Sequence, residues 1–265
     1  MKVWYFFSGV LMGAANIIPG VSGGTIAVLM GIYDRLIEAI NSLFSRDFKS
    51  LKILLPAGFG LLAGVFGFAR LLEISLIRYP VPTHFFFVGL VIVSFVKAKE
   101  FFSLSLKNLI FFIFGILCVF LLSFSGGAES GGEGLFVLPV AGFVAAAAMV
   151  VPGISGSLIL LMFGVYDSIL SMVSHLLIDK LLVFGSGVVL GIFVSIKVMG
   201  FLLRRFREET YSFIGGMILA SLYRVFPKEI VLEDLFPSVL TLSASLVFGF
   251  LLLKLERRLS AAQNP

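Results

Sequence analysis

Two short stretches carry the residue types from which a polar site can be built: Pro19-Gly20-Val21-Ser22-Gly23-Gly24-Thr25 and Pro152-Gly153-Ile154-Ser155-Gly156-Ser157. Each interrupts a long apolar segment and precedes a further apolar run of helical length. Proline has no backbone N–H and clashes with the preceding turn, so Pro19-Gly20 and Pro152-Gly153 are read as structural turns. Beyond each turn, Gly23, Gly24 and Gly156 let a ligand approach the backbone closely. The first N–H groups of the next helix attract an anion, and Ser22, Thr25, Ser155 and Ser157 add hydroxyl donors. A plainer reading stands beside this one: Pro-Gly makes the turn, and the serine caps the following half-helix.

Two cations extend the pattern. Arg70 and Lys197 are basic residues placed well inside predicted crossings, where a charge costs about 2.5–3.5 kcal/mol on insertion scales and marks a functional site. At 1.5 Å per residue, each lies roughly 7 Å from the centre of its span, displaced towards opposite faces. One cation for each access state is the expectation. The predicted anion site is therefore Ser22, Gly23, Gly24, Thr25, Ser155, Gly156, Ser157, Arg70 and Lys197. Snorkelling to an interface, or an i,i+3 pair of Arg70 with Glu73, is the competing explanation. Asp34 and Asp167, each following a Gly-x-Tyr, are candidates with Glu73 for handling a coupled ion, and equally for ordinary contacts with Arg35 or His175. Tyr33 and Tyr166 are read as interfacial aromatics.

The elements that must position these residues come in two copies. Residues 14–34 and 147–167 are identical at ten positions of one constant offset, among them Ser22/Ser155, Gly31/Gly164, Tyr33/Tyr166 and Asp34/Asp167. After a small shift, Gly60, Gly64, Arg70, Thr83, Gly89 and Ser94 face Gly187, Gly191, Lys197, Thr210, Gly216 and Ser221. Self-similarity of this kind marks a repeated unit. It predicts a first unit over 1–125, a Gly-rich linker over 126–134, a second unit over 135–258 and a tail over 259–265. Gly60/Gly64 and Gly187/Gly191 have the small-xxx-small spacing that permits close helix contact.

Composition names the solvent. Of 265 residues, 59% are apolar and 13% charged, whereas a soluble domain carries about 45–50% and about 25%. An all-α integral membrane protein is expected. The N-terminal Lys2, apolar run and Gly13-Ala14-Ala15 resemble a cleavable signal, but residues 14–34 are half of the repeat, so a retained segment is preferred. One cysteine, Cys118, and two distant histidines, His84 and His175, imply no disulfide framework, metal site or cofactor. The net charge of +5 flanks apolar runs and is assigned to topology, not to nucleic acid.

A crossing helix needs about 20 apolar residues, which predicts six: 53–77, 84–96, 108–124, 181–203, 211–226 and 235–253. The interrupted segments 3–44 and 135–178 are read as re-entrant hairpins, because irregular backbone at membrane depth survives only where protein buries it or it lines a cavity. With both as hairpins, fourteen Lys and Arg collect on one side and four on the other. That bias makes the first side cytoplasmic, with both termini there. The second hairpin then enters from the opposite face, giving an inverted-topology repeat with broken helices at the midplane, a transporter signature argued by analogy.

The stretch Gly13-Ala14-Ala15-Asn16-Ile17-Ile18-Pro19-Gly20-Val21-Ser22-Gly23-Gly24-Thr25, followed by Gly31-Ile32-Tyr33-Asp34, resembles the bacterial polyprenyl-phosphate transporter family (PopT-like), formerly a domain of unknown function. The second copy fits too, and the resemblance covers nearly the whole chain. It implies a protein of the bacterial or archaeal cytoplasmic membrane that returns undecaprenyl phosphate, the lipid carrier of cell-envelope synthesis, to the inner leaflet. Its partners would be the polyprenyl-phosphate lipid and the surrounding membrane lipids. Coupling to H+ or Na+ and assembly into a homo-oligomer are admitted by the sequence and specified by nothing in it. Undecaprenyl-diphosphate phosphatases also carry paired hairpins with a Pro-Gly-x-Ser-Arg-Ser turn. Here Gly23 and Gly156 stand where that arginine would be, so an enzyme is not expected. A transporter of a small soluble anion is the other alternative.

Overall fold

The computed structural model describes residues 2–18, 21–124, 136–175 and 177–261. Pro19, Gly20 and the linker 126–134 lie outside the described residues. The regular structure of the described residues is helical throughout. The first half holds α1 (Lys2–Ile17), α2 (Gly23–Leu29), α3 (Tyr33–Phe44), α4 (Leu51–Arg78), α5 (Pro80–Lys99) and α6 (Leu106–Phe124). The second holds α7 (Val137–Val150), α8 (Gly156–Met162), α9 (Tyr166–Ser174), α10 (Ile178–Arg205), α11 (Arg207–Val225) and α12 (Leu232–Ala261).

Each interrupted segment, expected as a hairpin with one break, is three helices with two. The second break is the same in both halves. Gly31 and Gly164 each adopt φ +65, the left-handed conformation that ends a helix without a Cβ penalty. Ile32 N–H donates to Ala27 C=O and Gly31 N–H to Val28 C=O; Val165 and Gly164 repeat the pattern with Leu160 and Leu161. These are Schellman caps. They turn the chain into α3 and α9, which begin on the Tyr-Asp pairs.

Among the described residues, five helical stretches are long and apolar enough to cross a membrane: 48–78, α5, 106–123, α10 and 232–259. The expected sixth, α11, is a 19-residue helix. It falls short because Arg207, Glu208 and Glu209 occupy its first turn and Arg224 its last, trimming the apolar run. Protein surrounds much of it: Ile214, Met217 and Ile218 are fully buried. α12 runs on through Ala261, into the stretch expected as the tail. Large apolar side chains such as Phe59, Phe66, Leu121 and Phe236 face outward, as a lipid-facing surface requires.

Lipid supplies no hydrophobic force to press helices together, so close backbone approach must do it. α1 packs along α4, and its counterpart α7 along α10; α5 packs on α12, and its counterpart α11 on α6. The two halves are therefore interlocked, each lending its last helix to the other. Glycines make the contacts. A Cβ on Gly60 or Gly64 would run into the carbonyl of Phe6 or Val10, and one on Gly9 or Gly13 into those of Ala57 or Leu61. Gly187 and Gly191 meet Pro139 and Phe143 in the same way. By contrast, nothing lies within 4 Å of a Cβ added at Gly58 or Gly67. Gly60→Leu should therefore destabilise by at least the about 1–3 kcal/mol typical of overpacking. Gly58→Ala on the same helix should be neutral or stabilising by up to about 1 kcal/mol, both read from thermal unfolding in detergent.

One end of the bundle is polar. Lys97, 5% exposed, holds Glu100 and Glu256 at 2.9 Å each, and Arg257 pairs with Glu100. Phe101 lies beneath Lys97 and Arg207 and stacks on Tyr211 at 4.3 Å. Lys107 pairs with Glu209, while Glu208 accepts from Ser103 and Asn108. Burial raises the Glu100 carboxyl, but hydrogen bonds from Arg257 and Lys97 outweigh it and hold its pKa below the usual value. A depressed carboxylate stabilises the fold above its unfolded-state pKa and stops doing so as pH falls through the folded value. Stability should thus drop on acidification below about pH 4, and Glu100→Gln should flatten that drop in pH-dependent melting curves.

Candidate functional site

The break between α7 and α8 leaves backbone polar groups inside an apolar molecule, and side chains of the first repeat meet them. Ser22 adopts extended backbone as the N-cap of α2, and its Oγ accepts from Thr25 N–H at 3.2 Å. Capping of this kind was the plainer reading of that serine. The same oxygen, with Thr25 Oγ1, also accepts the N–H of Gly153 from the other repeat, at 3.3 and 3.1 Å. The two tips therefore touch. Gly153 has φ +94, and a Cβ there would press on Met217 of α11, so only glycine fits. Pro152 lies against Gly24, where a Cβ would come within 3.2 Å of its Cα. Val151, held extended before Pro152 as that proline requires, ends α7.

Tyr33 is buried, and its hydroxyl donates to Val150 C=O at 2.9 Å. It takes up a carbonyl freed where α7 stops. The expectation of an interfacial aromatic is corrected for Tyr33, because α3 turns it inward against the second tip. Ser155, in the position of Ser22, makes no side-chain cap; its hydroxyl bonds Ser157 at 2.7 Å on an exposed face.

A cavity of about 250 Å³ opens between the tips. Its walls include Ser22, Gly23 and Gly24 from one repeat and Ser155, Gly156 and Ser157 from the other. Thr25 stays behind the wall, bonded to Gly153. Asn16 completes the lining and accepts Gly23 N–H at 2.7 Å. Sequence reading missed Asn16, although a lone amide in an otherwise apolar run, standing where the second repeat has Met149, was the available signal. The cavity offers hydroxyls, an amide and helix-start N–H groups to a small anion.

The other expected residues stand elsewhere. Arg70 is exposed on α4, without an ion pair to Glu73, and does not line this cavity. Lys197 is exposed on α10 with its Nζ 5.9 Å above both Phe44 and Phe193. Asp34 accepts from Arg207 at 2.6 Å and from Tyr211 at 2.5 Å, both on α11. Asp167 is exposed at the start of α9.

Apolar outer faces and long apolar helices define a multi-pass all-α membrane protein, with a polar cavity between its two broken-helix tips. Over residues 12–239 the chain matches the VCA0040-like family, described as undecaprenyl phosphate translocase-like, and it belongs to that family. It is 33% identical over 237 residues to a polyprenyl-phosphate transporter of Vibrio cholerae serotype O1, covering 84% of this chain and 77% of that one. It is 34% identical over 242 residues to a polyprenyl-phosphate transporter of Staphylococcus aureus, covering 83% and 84%. No solved structure matches it.

The contact between tips sets the next expectation. Ser22→Ala removes a cap, at about 1 kcal/mol. Adding Thr25→Val strands the buried Gly153 N–H, at a further cost of about 1–3 kcal/mol. Thermal unfolding in detergent should show the double variant falling well below Ser22→Ala alone; equal melting points would mean that the tips do not depend on each other.

Proposed function

We propose that this protein carries a polyprenyl phosphate across the bilayer by alternating access. The observation that carries the reading is the cavity shared by the two tips. Its hydroxyls and N–H groups suit a phosphate monoester, in a molecule that is otherwise oily. An apolar groove of about 720 Å³ reaches the same region. Ala14, Ala15, Ile26 and Leu29 beside the first tip line it, and so do Leu72, Tyr79, Thr83 and Phe86. It suits an isoprenoid tail. A second apolar groove, of about 470 Å³, is lined by Met199, Phe206, Thr210 and Phe213, the repeat counterparts of those last four. In an inverted repeat the two grooves open towards opposite leaflets, and each state of the transporter uses one of them.

Arg70 and Lys197 then serve as charges that the headgroup passes on the way to and from the tips, and Asp34, Asp167 or Glu73 serve ion coupling. The termini face the cytoplasm, where the basic residues gather. Transport is preferred to hydrolysis, because Gly23 and Gly156 occupy the position of the phosphatase arginine.

Proteoliposomes carrying a labelled polyprenyl phosphate in one leaflet test this. Purified protein should speed its appearance in the other leaflet. Sulfate flux without lipid movement would favour the small-anion transporter, and phosphate release from undecaprenyl diphosphate would favour the enzyme. Arg70→Gln and Lys197→Gln should each slow the lipid while inserting normally; unchanged rates in both would remove them from the path.

A further inference from the structure

Lys97 and Arg224 occupy equivalent places in the two repeats, each three residues beyond a paired serine, Ser94 or Ser221, near the ends of α5 and α11. Their surroundings differ. Lys97 is buried and neutralised by Glu100 and Glu256. Arg224 is half-buried, its Nε donates to Ser123 Oγ at 2.9 Å, and no carboxylate among the described residues pairs with it. A guanidinium has five N–H donors, and this bond uses one. The side chain lines a small cavity of about 60 Å³ together with Gly153, Ile154, Ser155 and Ser157. Three of these, Ile154, Ser155 and Ser157, also line the cavity between the tips. The second tip is thus a thin wall with the tip cavity on one side and an uncompensated arginine on the other.

We propose that Arg224 binds the phosphate headgroup, with the hydroxyls of Ser155 and Ser157 as co-donors, at the second tip. The assignment rests on the transport reading above and adds the cation that the tip cavity lacks. Arginine's planar fork matches two phosphate oxygens at once, and such charge-assisted pairs are about twice as strong as neutral hydrogen bonds. A partly buried cation without an acid is costly in lipid unless an anion arrives. The asymmetry with Lys97 carries the inference: two carboxylates stand beside Lys97, and none among the described residues stands beside Arg224. The Ser155–Ser157 pair is likewise released from capping and exposed.

Purified protein in nanodiscs, titrated with a polyprenyl phosphate and with the matching polyprenol, separates headgroup from tail binding. Arg224→Gln should weaken the phosphate roughly ten-fold, the loss of one charge-assisted contact, and leave the polyprenol unchanged. Arg224→Lys should fall between, and Ser123→Ala, which removes only the tether, should bind like wild type. A wild-type preference for phosphate that survives Arg224→Gln overturns the assignment and spares the transport reading. A wild type that does not distinguish phosphate from alcohol overturns both. Phenylglyoxal modification of Arg224 in the wild-type protein gives a readout free of folding effects. The polyprenyl phosphate should shield it and the polyprenol should not; no shielding, or equal shielding by inorganic phosphate, overturns the lipid-headgroup assignment.

Discussion

The structure depends on one bond: the N–H of Gly153 accepted by Ser22 and Thr25 of the other repeat. A helix broken at membrane depth leaves donors and acceptors that hydrocarbon cannot satisfy, at several kcal/mol each. Here the satisfaction comes from the other broken helix. Tyr33 answers Val150 in the same way, so the second interruption is tolerated because the first repeat is beside it, while the first is met by its own Asn16 and Ser22. The polar material that results sits at the meeting point of the repeats, next to an apolar groove. Site and fold are one solution to one constraint.

The repeats meet without being equal. In the first tip, Ser22 and Thr25 are buried and committed to holding the second. In the second, Ser155 and Ser157 are turned outward, and Arg224 stands near them. The first repeat spends its cation in a buried cluster with Glu100 and Glu256, and that cluster braces α5 against α12. One copy has become scaffold at the positions where the other has kept exposed polar groups. The two tips match in sequence and differ in what their side chains touch.

Much of this was legible in the chain itself. The doubled Pro-Gly-x-Ser-Gly motif located both breaks, the Gly60/Gly64 and Gly187/Gly191 spacings marked contact faces, and composition declared the lipid solvent. These are local properties: a proline stops a helix wherever it sits, and a glycine permits close approach in any fold. The residues that linear reading misjudged were those whose surroundings come from another segment. Asn16 looked like filler until α2 began beside it. Tyr33 looked interfacial until α3 turned it onto α7. Arg224, one of the four basic residues counted on the sparser side, gained its setting only from α8 beside it.

The sequence alone therefore determined the membrane class, the repeated motif, the first helix break of each unit and most of the polar residues at the tips, because each follows from periodicity, backbone chemistry and composition over neighbouring positions. Only tertiary structure decided which of those residues share a cavity, that α5 and α11 pack on helices of the opposite repeat, and that Lys97 meets two carboxylates while Arg224 meets none among the described residues. Those outcomes turn on distances between residues more than a hundred positions apart, and charge and hydroxyl groups acquire their roles from what lies within a few ångströms in space.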